Sequence, residues 1–360
     1  MIIGVLKEIK VEEYRVGLTP ESVRVLVGDG HNVMVEEGAG IGSGFSDSLY
    51  KEAGAKIVKK DEIFDSAGLI IKVKEPQLSE IELLKPGQIV FTFFHFASNP
   101  AMTKALVEKN ITCIAYELIE EDGIRPILRP MSEIAGKLSI QQGMKYLEKP
   151  SGGKGILLMG TENVDPGNVV ILGGGVAGTA AAEVAYRLAM KLTIIEKKSE
   201  RREILKKAFP FSAVLESTHD NIIESCKKAD IVIGSVLIPG HRPPCLLKRN
   251  ELEYMEKGTV LVDISIDEGG VFESSHPTTH LQPVFVESGI VHYCVPNMPG
   301  IVPRTATIAL NAASIEFARI IARHGESSFK VSNAIKKGCV ILRGDVIGQA
   351  IKEILESSSD

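Results

Sequence analysis

The chain has 360 residues, more than one small module needs and enough for two domains at the usual ~150 residues each. Hydrophobic residues make up 44% and charged residues 24%, proportions of an ordinary folded protein that exclude a disordered, collagenous or coiled-coil chain. Lys plus Arg is 41 against 46 Asp plus Glu, a formal net charge of −5, so no basic excess stands ready to displace counterions from a phosphate backbone and nucleic acid is not an expected partner. Thirty-four glycines with no tryptophan suit the tight turns and close approaches of an α/β fold. The nearest two cysteines, Cys226 and Cys245, stand 19 positions apart; no CxxC pair or zinc knuckle can be written, and a reduced, cytoplasmic setting is expected. The N-terminus meets Lys7 and Glu8 before any stretch of signal length, and no run approaches the roughly 18 apolar residues of a membrane span, so neither export nor a membrane is expected.

Short β-branched runs alternate with helical patterns, which predicts parallel sheets built from βαβ units. Ile2–Lys7, Asn32–Glu36, Leu69–Val73, Ile89–Phe94 and Thr112–Tyr116 read as strands of a first region that is itself doubly wound. Between them Pro20–Gly28 and Pro100–Lys109 read as helices, the first capped by Thr19 with Pro20 at its first position. Gly38-Ala-Gly-Ile-Gly-Ser-Gly44 also follows a strand, but Ser43 stands where a third phosphate-loop glycine belongs, and the segment reads as a loop. Met131–Lys149 reads as a helix, and Pro150–Gly155 after it has the composition of a linker, placing a boundary near there.

The second region opens with the strand Asn168–Leu172, then Gly173-Gly-Gly-Val-Ala-Gly178, then a helix over Thr179–Leu188. Gly173, Gly175 and Gly178 fit G-x-G-x-x-G: one permits the turn, one lets pyrophosphate approach the backbone, and one lets the helix pack on the strand. The phosphates belong at the helix N-terminus. A second strand, Leu192–Ile195, ends at Glu196, 18 residues beyond Gly178, where an acid takes the ribose hydroxyls and repels a 2′-phosphate, favouring NAD over NADP. Strands at Ile231–Gly234 and Val260–Asp263 continue the pattern.

Hydride chemistry also needs groups to hold a substrate and move a proton. Lys74 stands just past Leu69–Val73, where a parallel sheet presents residues to a crevice, and His95 ends the run Val90–Phe94. Arg15 lies in the loop after the first strand, suited to pair bidentately with a carboxylate. Asp267 follows Val260–Asp263. On position alone Lys74 and Arg15 read most often as solvated charges, His95 as a hydrogen-bonded strand-end histidine and Asp267 as a turn former. His276, His280, His292 and Cys294 match no zinc spacing, and no metal is expected.

These residues sit within a wider set of motifs: Lys7-Glu-Ile-Lys10 with Arg15-Val-Gly-Leu-Thr-Pro20, Lys72-Val-Lys-Glu-Pro76, Phe91-Thr-Phe-Phe-His95, Pro130-Met-Ser-Glu-Ile-Ala-Gly136, Asp263-Ile-Ser-Ile-Asp-Glu-Gly-Gly270, Ser275-His-Pro-Thr-Thr279 and His292-Tyr-Cys-Val-Pro-Asn-Met-Pro-Gly300. On them, over nearly its whole length, the sequence resembles the family of alanine dehydrogenases and nicotinamide nucleotide transhydrogenase N-terminal domains. The resemblance implies that Arg15 and Lys74 hold the substrate carboxylate and carbonyl and that His95 and Asp267 do acid/base work. Around NAD it implies Ser132, Val176, Ala177, Glu196, Arg201, Ser217, Val236, Leu237, Ile264, Ser265, Ile266, Asp267, Val295, Pro296, Asn297 and Met298.

His95 and the want of a membrane segment favour the alanine dehydrogenase branch. The resemblance then implies NAD-dependent oxidative deamination of L-alanine to pyruvate and ammonia, and the reverse, by a homo-oligomer, a hexamer. A dehydrogenase for another amino or imino acid, or a non-catalytic NAD(H)-binding protein, are the alternatives. The expected fold is two doubly wound Rossmann-like domains with parallel sheets and an active site in the interdomain cleft: a substrate domain of residues 1–128 plus 305–360, the helical pattern Thr305–Ala322 returning to it, and an NAD-binding domain of residues 129–304. Departures from the family pattern are Phe93, Phe94 and Phe96 around His95 where leucines are usual, His276 where an arginine is usual, Glu196 where aspartate is usual, and the segment Gly160–Asp165.

Overall fold

The computed structural model describes residues 1–96, 99–238, 242–349 and 351–352. The chain divides into two compact units, one of Met1–Met131 with Gly300–Asp360, the other of Ser132–Pro299.

The first unit is built on an eight-stranded sheet of β1 (Ile2–Val5), β2 (Asn32–Glu36), β3 (Lys56–Val58), β4 (Leu69–Ile71), β5 (Ile89–Thr92), β6 (Thr112–Ala115), and, after the strands of the second unit, β14 (Cys339–Leu342) and β15 (Asp345–Val346). Their order is β15-β14-β6-β5-β4-β1-β2-β3. The first six strands are parallel, and β14 and β15 extend the sheet antiparallel. Strand order reverses between β1 and β4, the switch point beyond whose carboxyl ends open α/β sheets bind their ligands. Strands β4 and β5 are buried along their whole length, as expected of parallel strands covered on both faces. The helix Pro20–Gly28 starts as its sequence requires, with the Thr19 hydroxyl accepting from Ser22 N at 3.1 Å. Four strands end earlier than their sequence runs: β1, β4, β5 and β6 stop at Val5, Ile71, Thr92 and Ala115. The residues beyond the first three form the loops that carry Arg15, Lys74 and His95.

Gly38–Gly44 is a turn and a short 3-10 helix, Ile41–Ser43. Its Ser43 hydroxyl donates to the Tyr14 carbonyl at 2.9 Å and pairs with Thr307 Oγ1 at 2.8 Å, so this glycine-rich segment props the Arg15 loop. The helix Pro303–His324 contributes Leu310, Phe317, Ala318 and Ile321 to the interior of the unit. By length and composition alone the stretch Pro303–Val331 is apolar enough to cross a membrane, a feature the sequence reading missed, but half of its most apolar window is buried inside the unit.

The second unit carries β7 (Asn168–Leu172), β8 (Lys191–Glu196), β9 (Ala213–Glu216), β10 (Ile231–Gly234), β11 (Val260–Asp263), β12 (Val284–Glu287) and β13 (Ile290–Tyr293). The order is β12-β13-β11-β10-β7-β8-β9, parallel apart from β12. Again the order reverses beside the first strand, here between β7 and β10. Pro150–Gly155, which reads as a linker by composition, lies inside this unit. It is a tight turn: a Cβ on Gly153 would stand 2.3 Å from the Tyr146 carbonyl oxygen.

Candidate active site

Arg15 and Lys74 are not the solvated charges that position alone allowed: Arg15 is 3% exposed and Lys74 8%. Glu13, two residues before Arg15, grips its guanidinium with both carboxylate oxygens, Nε to Oε1 at 2.7 Å and Nη2 to Oε2 at 2.5 Å, the fork geometry of a bidentate pair. Burial by itself would raise the Glu13 pKa; the Arg15 hydrogen bonds and charge, with the charge of Lys74, outweigh it and hold the carboxyl down at about 2. Glu13 thus lies within the field of both cations and fixes the guanidinium in one orientation.

Lys74 follows β4 by three residues, and its loop is anchored from the neighbouring strands. The Glu8 carboxylate, just past β1, accepts from Val73 N at 2.6 Å and Lys74 N at 3.3 Å. The Thr92 hydroxyl on β5 donates to the Lys74 carbonyl at 3.0 Å. Beneath them Lys72, 1% exposed, bridges Glu8 at 3.1 Å and Glu80 at 2.7 Å. Burial would lower the Lys72 pKa, but the two carboxylates raise it, so it stays charged. Burial pushes Glu8 up against the pull of Lys72. Removing one partner of such a buried group costs about 3–5 kcal/mol.

His95 sits past β5 with φ +50, a left-handed conformation that costs a residue with a Cβ roughly 1–2 kcal/mol. The Glu117 carboxylate, beyond β6, accepts from His95 N at 2.8 Å and from Phe94 N at 3.1 Å. The Phe93 ring stacks beside the imidazole at 6.0 Å. Of the three phenylalanines that depart from the family pattern, Phe94 and Phe96 stack on each other at 4.6 Å and pack in the apolar core with Met102 and Leu106, while Phe93 meets Tyr116 edge-on. All three are buried, so they pack the ground under His95.

In the second unit the helix after the glycine loop begins at Val176, three residues before the predicted start, with Gly175 as a cap that has no side chain to satisfy the first N–H groups. Those donors are the ones a phosphate takes. Gly173 turns at φ +101. A Cβ on Gly178 would lie 1.9 Å from the Gly173 carbonyl, whereas one on Gly175 would meet nothing within 4 Å. The loop therefore has one glycine demanded by packing and one that leaves a space unfilled, and it fits a dinucleotide. Glu196, at the end of β8, accepts from Gly174 N and Lys198 N, each at 2.8 Å. Arg201 donates to the Gly174 carbonyl and to Thr179 Oγ1, both at 2.7 Å, so it braces the loop.

From there hydrogen bonds run along the carboxyl ends of the strands. Ser217 N donates to the Glu196 carbonyl at 3.3 Å. Ser235 Oγ donates to the Gly173 carbonyl at 2.8 Å, and Ser265 Oγ to the Val236 carbonyl at 2.9 Å. Asp267 lies in the 3-10 helix Ile264–Glu268 and accepts from Asn297 N at 3.2 Å with each oxygen. Gly173 to Gly178, Glu196, Arg201, Ser217, Val236, Ser265, Asp267 and Asn297 thus form one rim. Val176 and Leu237 are exposed, Ser132, Ile264 and Pro296 half-buried, and Ile266, Val295 and Met298 have buried side chains. Ser132 lies on the helix Leu128–Tyr146, which packs against the glycine loop: a Cβ on its Gly136 would stand 2.1 Å from the Ala177 carbonyl oxygen.

His276 is exposed and stacks at 3.7 Å on Phe285, which stacks on buried His292. Burial lowers the His292 pKa to about 4, leaving a neutral ring bonded to Ser274. Among the described residues no three His, Cys, Asp or Glu side chains are grouped to hold a metal. The sequence reading gave no role to Glu8, Glu13 or Glu117. Only Glu13 had a local signal, its place two residues before Arg15.

Residues 4–135 match the family model "Alanine dehydrogenase/PNT, N-terminal domain" and residues 139–349 "Alanine dehydrogenase/PNT, C-terminal domain". An alanine dehydrogenase of Methanococcus maripaludis is 46% identical over 98% of this chain and 95% of its own. One from Bacillus subtilis is 44% identical over 98% and 94%. A solved L-alanine dehydrogenase superposes with TM-score 0.96 at 42% identity, covering 99% of each chain. A transhydrogenase from Sinorhizobium meliloti shares the fold at TM-score 0.84 and 24% identity, over 97% of this chain and all of its own. The chain belongs to the alanine dehydrogenase/PNT family.

Proposed function

We propose that this protein catalyses the NAD-dependent oxidative deamination of L-alanine to pyruvate and ammonia, and the reverse reductive amination. The observation that carries the reading is the buried Arg15–Glu13 pair with Lys74 beside it, at the switch point of a parallel sheet in a chain of this family. Arg15 and Lys74 bind the carboxylate of the amino acid and so orient its Cα hydrogen, and fixed geometry of this kind supplies much of an enzyme's rate. The nicotinamide, when bound, supplies the hydride acceptor. Loss of hydride from Cα leaves an iminium, and His95 or Asp267 takes a proton from the water that attacks it. The same group returns that proton to nitrogen and takes up the hydroxyl proton as the carbinolamine collapses to pyruvate and ammonia. Lys74 beside the carbonyl oxygen stabilises the charge that grows there.

The Gly173–Gly178 loop and the uncapped N-terminus of the helix Val176–Arg187 fit the pyrophosphate, and Glu196 fits the ribose hydroxyls and disfavours a 2′-phosphate. Glu196 also spends an oxygen on the loop's own Gly174 N, so it shapes the loop as well as the ribose site. We assign the substrate role to the first unit, the NAD role to the second, a homo-oligomer, in family terms a hexamer, as the assembly, and the cytoplasm as its place. The test is NAD reduction by L-alanine with pyruvate and ammonia measured together. Equal amounts of all three products are expected; NADH formed without ammonia would overturn the reading.

A further inference from the structure

The two loops that carry Lys74 and His95 are held by the same device. Each follows a central strand, and a carboxylate just past the adjacent parallel strand collects two successive main-chain N–H groups: Glu8, past β1, takes those of Val73 and Lys74, and Glu117, past β6, takes those of Phe94 and His95. At His95 the arrangement has a further feature. The residue stands at φ +50, a conformation it keeps only where its surroundings over-determine it. A carboxylate oxygen 2.8 Å from its own N–H, with a second bond to the preceding N–H, supplies a charge-assisted grip of that kind. Behind Glu117 the chain is rigid: Tyr116 is fully buried between the rings of Phe91 and Phe93. The side chain of Glu117 itself is only half-buried, so its replacement leaves no orphaned charge in the core.

We propose that Glu117 is a positioning residue for the acid/base step: it fixes the strained backbone of His95, and through it the imidazole, without itself touching substrate. The inference rests on the proposed function, since it gives His95 its task. In a Glu117→Gln variant the amide oxygen still accepts both N–H groups; in Glu117→Ala nothing does.

The experiment compares the wild-type protein, Glu117→Gln and Glu117→Ala by reductive amination kinetics with pyruvate, by NADH binding followed through fluorescence, and by amide hydrogen exchange over residues 93–95. For Glu117→Ala the expected results are a fall in kcat of about a hundredfold, pyruvate KM and NADH Kd within about threefold of wild type, and exchange at Phe94 and His95 faster by tenfold or more. Glu117→Gln is expected to recover kcat to within about tenfold of wild type. A residue that served folding alone would lower the active fraction and leave kcat per active site unchanged; that result, or unchanged exchange at His95, overturns the proposal. If exchange behaves as expected while His95→Ala retains full kcat, His95 is not the acid/base group and Glu117 anchors an inert loop, which overturns the positioning role while the exchange data keep that failure distinct.

Discussion

At the scale of single residues, the decisive feature is that charges which look solvated in the sequence are buried and paired. Lys74, which we propose binds substrate, has no part in the Gly173–Gly178 loop, so Lys74→Ala is expected to lose turnover by three orders of magnitude or more while NADH Kd, read by fluorescence titration, stays within about threefold; equal loss of both would remove the assigned role. Glu13 gives a pH prediction. Its folded pKa of about 2 lies below the ordinary 4.5, so its contribution to stability is complete above pH 4.5 and is lost as pH falls toward 2, at most about 3 kcal/mol. The gap in unfolding free energy between wild type and Glu13→Gln should therefore shrink across that window, as measured by denaturant titration at several pH values. A gap constant with pH would show that the Arg15 pairing adds nothing. For the cofactor, Glu196→Ala is expected to narrow the ratio of kcat/KM for NAD over NADP at least tenfold. An unchanged ratio would mean that Glu196 serves only Gly174 N and Lys198 N.

At the scale of elements, the glycine loop separates packing from ligand binding. Gly178→Ala drives a Cβ into the Gly173 carbonyl and is expected to destabilise the second unit by several kcal/mol, whereas Gly175→Ala meets open space and is expected to leave its melting temperature within a degree or two while weakening NADH binding tenfold or more. Thermal melts with and without NADH check both, and a Gly175→Ala protein that binds NADH normally would contradict the phosphate assignment. The loop was legible because strand β7, its glycines and the following helix are contiguous in the chain. The edge hairpin of β12 and β13 was not read, although Ser288 and Gly289, at φ +52 and +82, carry the two-residue turn signal of a hairpin. Strand β14 was not read either: Cys339–Leu342 is a four-residue apolar run, and its partner β6 lies more than two hundred positions away. Glu8 and Glu117 escaped for the same reason. They act on residues 65 and 22 positions distant, through strand adjacency that only the sheet order reveals.

At the scale of the whole chain, topology brings the candidate residues, far apart in sequence, to equivalent places on the two sheets. Both sheets reverse strand order next to their first strand, and every residue proposed for substrate, together with nearly all of those proposed for cofactor, falls in segments just past the carboxyl ends of strands. The first unit is assembled from both ends of the chain, since β14 and β15 extend its sheet; the helical pattern Thr305–Ala322 and the family resemblance pointed to that return, whereas composition alone placed a boundary at Pro150–Gly155, inside the second unit. The central claim concerns the reaction, and the most direct test of it is the rate of NADH oxidation with ammonium and pyruvate, set against glyoxylate, 2-oxobutyrate and phenylpyruvate under the same conditions. The account predicts a clear kcat/KM preference for pyruvate. Tight NADH binding with no oxidation by any of the four would contradict it.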